Sequence, residues 1–185
     1  MRPKTHSKSI LMITLFTLDC KEISQESYDI LTEQLQIHSI RCSCGCRGSM
    51  IRHGFYCRTF KSIAGIRKLR ILRLKCSSCG VTHALLPVAV VPYSQVSLDC
   101  QLTMIRYKMG SPEMEQVQNA NPDFDEGCIS RVRRKYRTHW AQRLKAEALS
   151  PTVEWYDLVK ACFSRYRRQF LQIRAGCNLL FGAPT

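Results

Sequence analysis

The chain has 185 residues, with 28 Lys and Arg against 14 Asp and Glu, a net charge of +14 and 45% apolar residues. That length allows one compact domain or two very small ones, and that apolar content excludes wholesale disorder. Residues 1–40 carry four basic residues against five acids, residues 41–95 carry ten and no acid, and residues 127–145 carry seven more, again without an acid. A positive field so poorly compensated attracts a polyanion. Nucleic acid is preferred to an anionic membrane surface, because neither end of the chain is a strongly amphipathic basic helix.

The first apolar run, Ile10 to Leu18, is too short to span a bilayer. It lacks a small-residue cleavage site, and Asp19 follows it directly, so a signal peptide is not expected. The β-branched Ile10, Ile13, Thr14 and Thr17 predict a buried strand instead. Ser24 then stands at an N-cap position, and Tyr28, Leu31 and Leu35 share one face of the helix it opens. Residues 1–40 therefore read as a strand and a helix that pack on the rest of the chain, with no chemistry of their own.

Eleven cysteines, an odd number clustered at positions 42, 44, 46, 76 and 79, do not read as a secreted disulfide framework. They fit a reducing cytoplasm, where clustered thiols hold metal. After Cys42, Cys44 and Cys46 comes a strand-like segment from Met50 to Phe60, a turn at Ala64-Gly65, and an alternating basic–apolar strand from Arg67 to Lys75. The one break in that alternation, Ile71-Leu72, predicts a bulge. The strand ends in Cys76-Ser77-Ser78-Cys79-Gly80. Two cysteine knuckles joined by a β-hairpin make a zinc ribbon, in which four thiolates hold a tetrahedral Zn²⁺. Cys76 and Cys79 supply one pair. The other comes from Cys42, Cys44 and Cys46, with Cys42 and Cys44 favoured because Cys44-Gly45 repeats the Cys79-Gly80 step, and with Cys46 open as a replacement for either. Four protein ligands leave no position for water or substrate, so the Zn²⁺ is read as structural. His53 and His83 are available as ligands but read first as ordinary polar residues beside ribbon strands, and Cys57 as a hairpin residue outside the ligand set. Cys20, Cys100, Cys128, Cys162 and Cys177 read as small core hydrophobes. On the second ribbon strand Arg67, Lys68, Arg70 and Arg73 are candidate phosphate contacts.

Pro87 and Pro92 mark the exit from the ribbon. Helices are expected over Ser97–Met109, Pro112–Asn119, Asp125–Glu147 and Thr152–Arg174. In the third, Ile129, Val132, Tyr136, Trp140 and Leu144 form an apolar stripe, while Arg131, Arg134, Lys135, Thr138, Gln142 and Lys145 fall opposite with Arg137 at the flank. One face packs and the other presents long donors, so with the helices before it this one resembles the reading element of a helix-turn-helix. The last helix presents Trp155, Val159, Cys162, Phe163, Tyr166, Phe170 and Ile173 as a packing face, and Arg165, Arg167, Arg168 and Arg174 as further basic groups. The expected fold is α+β: a small zinc ribbon followed by an all-helical, helix-turn-helix-like region. Its expected divisions are 1–40, 41–95 (ribbon), 96–150 (DNA-binding) and 151–185 (C-terminal packing helix).

The segments HGFYCR (53–58), KCSSCG followed by VTHALLP (75–87), VPYSQV (91–96), RKYRTHWAQRL (134–144) and RRQFLQIR (167–174) resemble a family of uncharacterised bacterial, transposase-like proteins. Their front ends are similar to the zinc-ribbon and helix-turn-helix parts of insertion-sequence transposases. The resemblance covers the chain from about residue 41 and looks like that of a complete member. It implies a first knuckle of the form Cys-x-Cys-Gly, which supports Cys42 and Cys44. It also implies a nucleic-acid partner, double-stranded DNA first, in the nucleoid of the cytoplasm rather than at a membrane. A homodimer, or a separate transposase or recombinase, is compatible with it as partner. Phosphoryl transfer by two metal ions needs acids at strand ends; here the acids at 113, 115, 123, 125 and 126 crowd helix starts. No Gly-x-Ser-x-Gly, phosphate loop or His-Glu-x-x-His occurs, so no enzyme is expected. The alternatives are an RNA-binding or RNA-polymerase-docking ribbon, using Phe55, Tyr56 and Phe60 to stack bases, and a protein-interaction adaptor built on the C-terminal helix.

Overall fold

The computed structural model describes residues 11–16, 23–174 and 180–182. Within them the fold is mixed α+β. A strand β1 (Leu11–Phe16) leads to helix α1 (Gln25–Glu33), and strands β2 (Met50–Ser62), β3 (Gly65–Cys76) and β4 (Thr82–Pro87) follow. Helices α2 (Leu98–Arg106), α3 (Pro112–Ala120), α4 (Glu126–Tyr136), α5 (Gln142–Ala146) and α6 (Trp155–Tyr166) precede a short β5 (Leu180–Gly182). The five strands form one sheet in the order β2-β3-β4-β1-β5. The pairs β2–β3 and β3–β4 are antiparallel, while β1 runs parallel to both β4 and β5.

The sheet follows from its sequence. Met12 to Phe16 are all buried, as expected of a parallel strand covered on both faces. The predicted strand ends Ile10, Thr17 and Leu18 lie outside the described residues, as do Cys20 and Cys177. α1 opens with a capping box between Ser24 and Ser27 and brings Tyr28 onto the sheet, where it is fully buried. The Tyr28 hydroxyl donates to the Leu85 carbonyl at 2.8 Å and accepts from the Leu72 amide at 2.9 Å. The β3–β4 pairing runs only from Lys75↔Thr82 to Arg73↔Ala84, so this phenol supplies the partner that the Leu72 amide would otherwise lack.

The bulge lies on the strand opposite the predicted one. Arg52 pairs with Leu74 and Phe55 with Leu72, so His53 and Gly54 share one partner position on β3. Gly54 takes φ +89° there, a left-handed value that favours glycine. Ile71 and Leu72 are both fully buried because β3 is covered on both faces. Two-sided burial, and not a slip of phase, produces the apolar doublet.

The helices pack in two clusters. Cys100 and Met104 of α2, Met114 and Val117 of α3, Phe124, and Ile129 of α4 form one. The other joins Phe16, Val88 and Leu98 to Trp140, Leu144, Leu158, Val159, Phe163 and Phe170. Ser111 and Asp125 cap α3 and α4 by accepting from the Met114 and Cys128 amides. The helical run expected over 125–147 is present, with one π turn inside it at Arg137–Ala141. In a regular helix each four-residue step overshoots a full turn by about 40°. The wider π turn between Tyr136 and Trp140 takes that drift back, so the stripe Tyr136, Trp140, Leu144 stays on the core.

The last helix is shorter than its periodicity predicts. α6 ends at Tyr166, and Arg167 adopts φ +53° with its amide on the Phe163 carbonyl at 3.0 Å. This is a left-handed helix stop. The chain beyond it is held by buried glutamines: Gln169 Oε1 accepts from the Thr14 hydroxyl at 3.1 Å, and the Gln172 carbonyl accepts from Trp140 Nε1 at 3.2 Å. Phe170 is therefore still buried, reached by a turn instead of by helix.

The tip of the β2–β3 hairpin ties sheet to helices. Gly65 (φ +94°) opens β3, and a side chain there would meet the Ala120 carbonyl at 3.4 Å. Asn121 Nδ2 donates to the Ser62 carbonyl at 2.8 Å, and Lys61 exchanges backbone hydrogen bonds with Gln95 and Ser97. Lys61 also pairs with Asp123 at 3.0 Å. No helix among the described residues is long and apolar enough to cross a membrane.

Candidate metal centre and basic helical face

The sheet delivers its cysteines to one point. Cys76 ends β3 opposite Met50 at the start of β2, which brings the 42–46 knuckle beside the 76–80 knuckle. Each knuckle closes on itself. The Gly45 amide bonds the Cys42 carbonyl at 3.0 Å and the Gly80 amide the Cys76 carbonyl at 2.8 Å. Both glycines sit at positive φ, +89° and +73°, so the step repeated in the sequence is repeated in the backbone.

The Sγ atoms of Cys42, Cys44, Cys76 and Cys79 all lie within 4.8 Å of one another, and the group could hold a metal ion. Cys42–Cys79 is 3.5 Å and Cys44–Cys76 is 3.8 Å. A disulfide requires about 2.05 Å, so these are not bonded pairs. A tetrahedral site with metal–thiolate bonds of about 2.3 Å has edges of about 3.8 Å. The four sulfurs fit that arrangement. Cys46 is half-buried beside the group and outside it, and His53 is exposed at the bulge.

The surroundings favour thiolates unequally. Burial pushes the Cys42 thiol up to about 12. At Cys76 burial acts in the same sense, but hydrogen bonds from Ser49 and from the Cys79 and Ser78 amides outweigh it and bring the thiol down to about 6. Four thiolates this close repel one another, and a cation at their centre removes that repulsion. Two neighbours complete the shell: the Ser49 hydroxyl at 3.2 Å from Cys76 Sγ, and His83 Nε2 at 3.3 Å from Cys42 Sγ. His83 is 1% exposed, not an ordinary polar residue beside a strand. Burial lowers its pKa, which favours the neutral ring. Its signal in the sequence is a lone imidazole in the apolar strand Thr82–Pro87; that it faces a thiol is a tertiary fact.

The helical face is built differently. Arg131, Arg134, Lys135, Arg137, Thr138, Gln142 and Lys145 are all exposed. None of the five cations among them has a carboxylate within 4.0 Å among the described residues. Arg133 belongs to the scaffold: its guanidinium donates to the Met104 carbonyl at 2.6 Å and to that of Tyr107 at 2.5 Å, at the C-terminal end of α2. On the hairpin, Arg67 and Lys68 are exposed. Arg70 lies 4.6 Å from the Phe55 ring centroid and 4.0 Å from Asp29, and Arg73 is half-buried. Phe55 is exposed and Tyr56 half-buried, but Phe60 is 3% exposed. Phe60 belongs to the core and is not available to stack a base.

Residues 42–132 match the model of a family described as Domain of unknown function (DUF6431). The matched stretch begins at the first cysteine of the cluster and ends within α4, so it takes in both knuckles and the α2–α3–α4 cluster. No curated protein and no solved structure matches the chain.

Proposed function

We propose that this chain is a DNA-binding protein of the transposase-like, mobile-element type, organised by a structural Zn²⁺ and without a catalytic domain of its own. On this reading the two knuckles and the β2–β3 hairpin are a zinc ribbon. Zinc is the choice because an all-thiolate tetrahedron suits it. With four protein ligands no coordination position is left for chemistry. α3, the connection 121–125 and α4 act as a helix-turn-helix, with α4 and its continuation through the π turn in the major groove.

The observation that carries this reading is the exposed face of α4 and its continuation, whose cations have no carboxylate partners among the described residues. Arginine can hold guanine bidentately and Gln142 adenine, while Lys135, Lys145 and the hairpin residues Arg67 and Lys68 suit phosphates. Duplex DNA is preferred to single-stranded RNA because burial removes Phe60 from the hairpin's stacking set. The protein would then work in the cytoplasm at the nucleoid, as a homodimer or beside a separate recombinase.

The test is duplex-DNA affinity across a salt series for the native chain and for Arg134→Ala/Lys135→Ala. Loss of the Lys135 phosphate contact should lower the salt slope by about 0.9, and loss of Arg134 should weaken binding further, both at unchanged metal content. Equal affinities and slopes would remove α4 as the reading element, and tighter binding of single-stranded RNA in competition would shift the reading to the RNA alternative.

A further inference from the structure

A second basic site lies beside this face. A cleft of about 470 Å³ opens between the loop 92–94, the helical run at Lys135 and His139, and the C-terminal segment at Leu171 and Arg174. Its volume falls within the range of small-molecule sites, about 300–1,000 Å³. At its lip Tyr93 adopts φ +61°, a left-handed conformation that is a genuine outlier for a bulky side chain.

Such a conformation persists only where its surroundings over-determine it, and here they do. One guanidinium nitrogen of Arg58 donates to the carbonyls on either side of Tyr93, those of Val91 at 3.0 Å and Ser94 at 2.7 Å. Gln101 Nε2 donates to Ser94 Oγ at 3.1 Å and to the Val96 carbonyl at 2.8 Å. The effort holds out an aromatic ring: Tyr93 remains 45% exposed, with the Arg174 guanidinium 5.6 Å from its centroid. Because the Val96 carbonyl can only accept, the amide nitrogen of Gln101 must face it, and Gln101 offers the cleft its carbonyl oxygen. The cleft thus combines a rigid aromatic platform, an acceptor, and cations from Lys135 and Arg174.

We propose that this cleft holds one unpaired nucleotide of a DNA strand, its base stacked on Tyr93 and its phosphate against Lys135. An aromatic platform beside cations is what single-stranded recognition requires, and the acceptor of Gln101 suits an exocyclic amino group. Lys135 also belongs to the exposed face of α4, so a strand leaving a duplex on that face reaches the cleft directly. The inference rests on the DNA-binding reading, and adds that the protein prefers a duplex with an unpaired end or a distorted step.

The test compares a blunt duplex with the same duplex carrying a single-stranded cytosine tail, whose exocyclic amino group can meet the Gln101 acceptor, using the metal-loaded full chain. Stacking of one base should make the tailed duplex bind about tenfold tighter. Tyr93→Phe should keep that preference, and Tyr93→Ala should abolish it while leaving blunt-duplex affinity unchanged. Tyr93→Gly removes the ring where glycine is at ease, so loss of preference there cannot be laid to a collapsed loop. Equal affinity for the two duplexes, or a preference that survives both ring deletions, would overturn this site alone. Failure to bind either duplex would overturn the DNA-binding reading and this inference with it.

Discussion

The cysteine-bearing half and the helical half of this molecule carry their chemistry in opposite ways. In the first it is concentrated in four sulfurs within 4.8 Å of one another, and geometry alone can test it: the edges match a metal tetrahedron and exclude disulfides. In the second it is spread over exposed cations whose separate positions prescribe no ligand, because a solvated basic helix and a reading helix look alike until something binds. A site made by convergence can be argued from one chain. A site made by exposure needs its partner.

The contrast is most open to refutation at the metal. Cys76→Ser should release the ion and cost more than about 4 kcal/mol, since the free energy of metal binding is folding free energy in such sites. Metal analysis and urea unfolding check this, and a metal content equal to that of the native chain would refute the four-cysteine site. In the helical half the matching lesion is Trp140→Ala. Trp140 is 1% exposed and packs edge-on against Tyr166 and Phe170, so its loss should cost about 3–5 kcal/mol, and the folded fraction should still hold its ion.

Alkali should act through the helical core. Burial pushes the thiols of Cys100 and Cys162 up to about 12 from an ordinary 9.0. The folded state keeps both protonated while the unfolded chain gives up the protons, so their contribution is complete below about pH 9 and is lost as pH rises toward 12. Each thiol should cost about 1.4 kcal/mol per pH unit in that window. Cys162→Ala should flatten the fall in urea midpoint above about pH 9, and an unchanged slope would remove Cys162 as its source.

The smallest effect concerns the boundary between the halves. Asn121, 2% exposed, donates from α3's end to the Ser62 carbonyl at the hairpin tip. Asn121→Ala should cost about 1–3 kcal/mol and loosen the coupling. Hydrogen exchange should then protect the sheet and the α2–α4 cluster to different extents, and if the two remain equally protected the tip is not the tie.

Much of the fold and of the metal site was legible in residues close together in sequence. Cys76-x-x-Cys79-Gly80 specifies a knuckle by itself, because two thiolates and a left-handed glycine fit inside five residues. The hairpin showed in the alternation from Arg67 to Lys75, and helix starts showed at Ser24, Pro112 and Asp125. Where local pattern misled, a distant residue intervened. The doublet Ile71-Leu72 looked like a bulge because a single strand does not reveal that both its faces are covered. The period through Phe170 and Ile173 continued α6 on paper, but Gln169 and Gln172 satisfy the backbone and core of a non-helical segment instead. Phe60 looked like a hairpin surface aromatic until packing buried it.

Sequence alone was enough for the basic stretches without acids, the four-thiol chemistry and the faces of the helices, since charge, ligand type and periodicity are properties of short stretches. Tertiary structure decided that Cys42 and Cys44, not Cys46, complete the cluster, that His83 and Ser49 stand over its sulfurs, and that Arg58 and Gln101 hold Tyr93 in a strained loop. Those choices join residues more than thirty positions apart in most cases, and only the closing of the sheet and the packing of the helices on it bring such groups within the few ångströms over which hydrogen bonds and metal–ligand bonds act.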